Sequence, residues 1–225
     1  MRRETEKGAA TKERIIVTAA DLFHKQGVSA TSPDEIIEES GTGKGQFYHY
    51  FKNKEWLVHE VLLRYLHRVE GGRGPVNHNV SSWADLEQWF LDHVKFQKGF
   101  DMIRACPIGV IGNGVTEKDE MIRVDVTRIF DAIRSRLAAF FIREKALGRL
   151  VPTADETALA EFCLAVVQGA MFMGKIRRSS GVAEATMQEA LARLRQYVVP
   201  NAPTAGATGG GATSPPRSMG RRARR

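Results

Sequence analysis

Between Ser32 and Lys54 the chain is punctuated too often to hold one long element, and the punctuation is of the kind that starts and stops helices. Ser32-Pro33-Asp34-Glu35 combines a capping hydroxyl, a proline at the first helical position and a cap-to-third-residue Ser/Glu pair. A short helix therefore runs through Ile36 and Ile37 and stops at Ser40-Gly41. A second brief helix spans Lys44 to Tyr50 before Lys52-Asn53-Lys54 breaks the pattern, and Asn53 caps a longer helix ending near Glu70. Upstream, Ile15, Ile16, Ala19, Ala20, Leu22 and Phe23 form one stripe over Thr11 to Gln26, which Gly27 is placed to close. Two short helices joined by Gly41-Thr42-Gly43 and preceded by a longer one make a compact three-helix unit. In a helix-turn-helix of this plan the second short helix enters the major groove of DNA and the first crosses the phosphate backbone.

The rest of the chain repeats the helical period, shows little strand alternation and has no fixed-length repeat, so the fold class is all-α. Gly71 to Pro75 reads as a linker, and Ser82 with Asp85 opens a helix carrying Trp83, Leu86, Trp89, Phe90 and Val94 into the late nineties. Gly99 and the stretch from Cys106-Pro107 to Gly114 read as a bend or loop. Thr116 and Asp119 introduce a long helix through Ile122, Ile129, Ile133, Leu137 and Phe140, closed by Gly148 and Pro152. Thr153 with Glu156 restarts helix to about Lys175, and a last helix covers 183–197. The domain plan is a flexible N-terminus over 1–10, a three-helix unit over 11–57, a larger helical domain over 58–199 and a disordered basic tail over 200–225, where Gly, Ala, Thr, Pro and Ser dominate.

Charge adds less than its total suggests. Of the net +7, five charges are the arginines of the tail; residues 1–70 hold 11 basic and 11 acidic side chains, so the case for DNA rests on local pattern. No stretch approaches the roughly 18 uninterrupted apolar residues of a membrane helix. Cys106 and Cys163 fit no metal or redox spacing and point to a reducing, cytoplasmic setting. No HExxH, GxSxG or phosphate-loop pattern occurs, and the histidines at 24, 49, 59, 67, 78 and 93 lack ligand spacing. Neither enzyme activity nor a metal or other cofactor is expected.

Within the helix-turn-helix, Gly45 lets the helix backbone approach bases, and Lys44 can donate to guanine or to phosphate. Tyr48, His49 and Tyr50 can reach phosphates, and Lys54 adds a cation at the next helix start. Read from period alone, the aromatics serve as well in a core and the lysines on a solvated face. Order decides between the readings: Ser40-Gly41-Thr42-Gly43-Lys44-Gly45-Gln46-Phe47-Tyr48-His49-Tyr50-Phe51-Lys52-Asn53-Lys54-Glu55-Trp56-Leu57 resembles the signature of the TetR family of regulators. The resemblance covers residues 11–60 and includes Ile15, Ala19, Leu22, Phe23, Gly27, Thr31 and Ile36. It implies that Thr31 and Lys54 contact phosphate, that Lys44, Gly45 and Gln46 face bases, and that Tyr48, His49 and Tyr50 do both, with Phe47 and Phe51 in the core. Two departures stand out: Thr42 replaces a usually apolar turn residue, and Gly43 replaces a serine, losing one phosphate-reaching hydroxyl.

For residues 75–199 the resemblance implies an effector pocket and a dimer face, and hence a homodimeric repressor that leaves double-stranded operator DNA when a small apolar or amphipathic effector binds. Trp83, Trp89, Phe90, Phe96, Phe100, Met102, Cys106, Phe130 and Phe141 are the pocket candidates. Each alone reads as core before it reads as pocket lining, and Cys106 reads as structural before it reads as a redox sensor. Phe162, Val166, Gly169, Ala170, Met173, Met187, Leu191 and Leu194 are the dimer candidates, with core packing in one chain as the alternative.

Overall fold

The computed structural model describes residues 6–200; residues 1–5 and 201–225, with the expected basic tail, lie outside it. Among the described residues the fold is a series of helices: α1 Glu6–Gln26, α2 Pro33–Glu39, α3 Lys44–Tyr50, α4 Lys54–Glu70, α5 Trp83–Lys98, α6 Pro107–Gly112, α7 Glu120–Ala146, α8 Glu156–Arg177 and α9 Ser180–Arg195. The sole extended pairing there is an isolated bridge between Leu150 and Val198, which ties the α7–α8 turn to the end of α9.

The predicted caps set these boundaries. Ser32 Oγ accepts from the Glu35 N–H (3.1 Å), Asn53 Oδ1 from Trp56 (3.0 Å) and Ser82 Oγ from Asp85 (3.1 Å), each satisfying one orphan donor of a first turn. Gly27, Gly41 and Gly148 close α1, α2 and α7 with positive φ. Four details differ from the sequence reading. Residues 6–10, expected in a flexible terminus, are the first turn of α1, where Ala9 and Ala10 favour helix. Glu35 does not complete a capping box; its carboxylate takes Gln26 Nε2 instead (2.9 Å). The cap of α8 is Asp155, not Thr153. The expected loop at 106–112 is helix α6, with Cys106 as its cap and Pro107 in its first turn.

α1, α2 and α3 pack around Phe23, Ile36, Phe47 and Phe51, all essentially inaccessible. α4 runs without a break from this unit into the larger one, packing against both α1 and α7. His59 on α4 meets Asp125 on α7 at 2.6 Å. The second unit centres on α7 and α8, flanked by α5 and α9. α8 is long and apolar enough to cross a membrane by length and composition, yet it packs between α7 and α9. Leu159, Cys163, Val167, Ala170 and Met171 face its core side, while Phe162, Phe172 and Ile176 stand exposed on the opposite side.

Candidate functional site

α3 projects Lys44, Gly45, Gln46, Tyr48 and His49 outward, with Tyr48 55% exposed. Phe47 and Phe51 fix the helix from beneath, because both are buried and their rings pack 5.7 Å apart. The turn before α3 is held by Thr42, whose hydroxyl pairs with Ser40 Oγ at 2.8 Å in a buried contact. This unusual turn residue thus has its polar atom satisfied. Gly43 caps α3 without a side chain, and Gln46 Oε1 accepts from its N–H (3.3 Å). A Cβ at Gly43 or Gly45 would meet nothing within 4 Å, and neither has positive φ. The chain's own packing among the described residues therefore does not require glycine at either position.

Lys44 Nζ lies 2.9 Å from Asp34 Oδ1, across the turn on α2, with both side chains about 70% exposed. The hydrogen bond to Asp34, and then its charge, raises the Lys44 pKa. Sequence reasoning missed Asp34, since no periodicity links two residues ten apart across a turn.

Two residues expected at phosphates have their polar atoms engaged within the chain. Thr31 is 1% exposed and its hydroxyl donates to the Gly27 carbonyl (2.8 Å). Lys54 gives its ammonium to the carbonyls of Val28 (3.0 Å) and Thr31 (3.1 Å), fastening the α1–α2 connection to α4. Both are staples of the unit. Tyr50 is half-buried and packs on the core, its ring 5.0 Å from His49.

A cavity of about 370 Å³ lies where α1 and α4 meet α5 to α8. Four pocket candidates, Phe96, Phe100, Cys106 and Phe130, line it, together with Ile108 and Ile133. The other five do not. Trp89, Phe90 and Phe141 are fully buried core, Trp83 donates to Glu144 (3.0 Å), and Met102 turns away against Gly174 on α8. Burial pushes the Cys106 and Cys163 thiols up, Cys163 to about 12, so neither is thiolate at neutral pH.

The sequence reading also missed the cavity's polar groups. His24 on α1, His78 in the α4–α5 connection and His93 on α5 all face it. Trp89 sets two of their tautomers. Its indole N–H can only donate, to His78 Nδ1 (3.0 Å), so His78 carries its proton on Nε2. Its carbonyl can only accept, 2.8 Å from His93 Nδ1, which leaves His93 Nε2 as an acceptor. Burial lowers the His93 pKa to about 4; burial, then His93 and Arg136, lower that of His78 to about 3. Burial also lowers that of His24, whose Nε2 lies 2.7 Å from the Ala105 carbonyl oxygen. The wall thus offers neutral imidazoles among aromatic and aliphatic surfaces, together with two cations, Arg64, which pairs with Glu13, and Arg68, which donates to the Arg73 carbonyl (3.4 Å). Its carboxylate, Asp21, is already engaged by Arg104 at 2.5 Å.

The dimer candidates divide likewise. Phe162 and Gly169 are exposed, Val166, Met173 and Leu191 half-buried, but Ala170, Met187 and Leu194 are interior to this chain. These three pack where α8 meets α9, so they are not free for a partner.

Comparison with known proteins agrees with this architecture. The profile "Bacterial regulatory proteins, tetR family" matches residues 15–61, and "Transcriptional regulator LmrA/YxaF-like, C-terminal domain" matches residues 84–189. The HTH-type transcriptional regulator YxaF of Bacillus subtilis (strain 168) is 30% identical over 150 residues, 63% of this chain and 78% of the relative. The HTH-type transcriptional repressor ComR of Escherichia coli (strain K12) is 27% identical over 204 residues, 83% of this chain and 88% of the relative. In fold, a TetR transcriptional regulator from Chloroflexus aurantiacus J-10-FL superposes with a TM-score of 0.73 at 22% identity, covering 86% of this chain and 98% of that one. With a helix-turn-helix whose second helix has an exposed outer face and a helical domain behind it, this chain belongs to the TetR family of DNA-binding transcriptional regulators, which are not enzymes.

Proposed function

We propose that this regulator is a cytoplasmic homodimeric repressor that binds operator DNA through α3 and releases it when a small apolar or amphipathic molecule occupies the cavity. The observation that carries this reading is the composition of the cavity wall: Val17, Ala20, Asp21 and His24 come from α1 of the DNA-binding unit and Arg64, Tyr65, Arg68 and Val69 from α4, which packs on α1, while the remainder comes from the larger helical unit. Residues 104–105 grip α1 from the far side of the cavity through the Arg104–Asp21 pair and the bond between His24 and the Ala105 carbonyl. A ligand that separates α1 from this grip moves the platform of α2 and α3. Pairing of two copies is supported by the exposed side of α8, where Phe162, Phe172 and Ile176 share one face around the open Gly169.

Effector coupling is reciprocal: a compound that weakens operator binding binds free protein more tightly than operator-bound protein by the same factor. Calorimetry of a candidate compound with and without operator tests this, and equal affinities for a releasing compound contradict it. Run-off transcription from a promoter overlapping the operator tests the sign. The reading expects less transcript when protein is added and recovery with effector; a rise on adding protein contradicts repression.

A further inference from the structure

α2 is an unusual helix to lay across a phosphate backbone. Its seven residues, Pro33 to Glu39, include Asp34, Glu35, Glu38 and Glu39 and no cation. Glu35 is engaged by Gln26, and Glu38 and Glu39 are exposed with no ion pair among the described residues. Beside them, Asp34 Oδ1 holds the Lys44 ammonium at 2.9 Å, at the N-terminal end of α3, which faces base edges in this motif.

Two alternatives exist for this pair on DNA. If Lys44 abandons Asp34, a bare carboxylate is left close to phosphates, well inside the roughly 10 Å over which charges interact at moderate salt. If the pair persists, each group keeps a partner. A lysine ammonium has three donors; one on Asp34 leaves two for an acceptor such as guanine O6 and N7. Held this way, the side chain is also restrained from swinging to whichever phosphate is nearest.

We propose that Asp34 is a positioning residue that buttresses Lys44 for base reading and withholds it from sequence-independent phosphate contact. It acts through Lys44, and it rests on DNA binding by α3, not on any effector or repressor role.

The test uses the full chain, an operator duplex and a scrambled duplex of equal length, titrated over several salt concentrations, with Asp34→Asn, Lys44→Ala and the double variant. For Asp34→Asn we expect operator affinity unchanged or lower and scrambled-duplex affinity about two- to fivefold higher, so that the ratio falls. The slope of log affinity against log salt on scrambled DNA should steepen by up to about one, the signature of one newly engaged phosphate. In the Lys44→Ala background the Asp34→Asn ratio change should vanish, whereas loss of generic acid–phosphate repulsion would persist there. Asp34→Glu, which keeps the carboxylate, should restore part of the ratio. A rise in operator affinity equal to or larger than the rise on scrambled DNA overturns the proposal and makes Asp34 a simple competitor. So does an unchanged ratio. If wild-type protein shows no preference for any duplex, the DNA-reading assignment itself fails, an outcome separate from loss of preference in Asp34→Asn alone. Melting by circular dichroism verifies that each variant is folded.

Discussion

At the scale of single residues, the reading helix separates side chains held by the fold from side chains held for something else. Gly45 lies in a helix, has open space where a Cβ would go and needs no special φ, so alanine there should raise helix stability by roughly 0.5–1 kcal/mol. Thermal melting of Gly45→Ala should thus be unchanged or higher, while operator affinity falls because the added methyl stands between backbone and bases. A stable variant with unaltered operator affinity would contradict the close approach. Lys44→Ala should cost about 1–3 kcal/mol of specific binding and leave melting within about 1 kcal/mol, since its partner contact is exposed. Phe51→Ala should instead lower stability by about 3–5 kcal/mol, because the ring is buried against Phe47. The exposure of Lys44, Gly45 and Gln46 and the burial of Phe47 and Phe51 were legible in the order of residues 40–57. The in-chain bonds of Thr31 and Lys54 were not, because a sequence pattern marks which positions matter without telling that a hydroxyl points to the Gly27 carbonyl or an ammonium to those of Val28 and Thr31.

At the scale of elements, helix ends were the most legible features and short helices the least. Ser32, Asn53 and Ser82 announced their helices through local chemistry that needs no tertiary context. α6 escaped notice because six residues containing two glycines carry no period, and its formation depends on packing against α1 and α7. The polar cavity groups were partly legible: His93 and Gln97 continue the stripe Leu86, Trp89, Phe90 and Val94 on α5, so their burial follows from spacing. That burial has a measurable consequence. His93 and His78 have folded pKa values lowered to about 4 and about 3, against roughly 6.5 in the unfolded chain. Below pH 6.5 the unfolded state binds more protons than the folded one, so their contribution, fully present above that pH, is lost as pH falls toward 4 and 3. Stability should drop by up to about 1.4 kcal/mol per pH unit for each histidine between pH 6.5 and 5, above the main carboxylate range. Melting temperature measured from pH 7.5 to 5 should show this slope, with a smaller slope in His93→Leu; a flat wild-type profile would contradict neutral burial of the pair.

At the scale of the whole molecule, two surfaces and one cavity are arranged around α1, α4 and α8. α8 is apolar on both sides, a pattern that calls for cover on both, and among the described residues only one side is covered. Deleting α9 would remove Ala183, Met187, Ala190 and Leu194 from the core, so a point substitution is the cleaner probe of pairing. Phe172→Glu should shift sedimentation to the monomer while the helical circular-dichroism signal is kept; a persistent dimer would place the interface elsewhere. The sequence alone could not separate the two faces of α8, because both satisfy the same helical spacing and burial on one of them depends on α7 and α9. The central claim is that α3, and Lys44 within it, reads DNA sequence. Selection from a random-sequence duplex library tests it most directly, using wild-type protein beside folded Lys44→Ala. The account predicts that wild type enriches one inverted repeat with half-sites about one helical turn, or a small multiple, apart, and that the variant loses that enrichment or its preference at the base Lys44 contacts. Enrichment of the same repeat to the same degree by both proteins would contradict it.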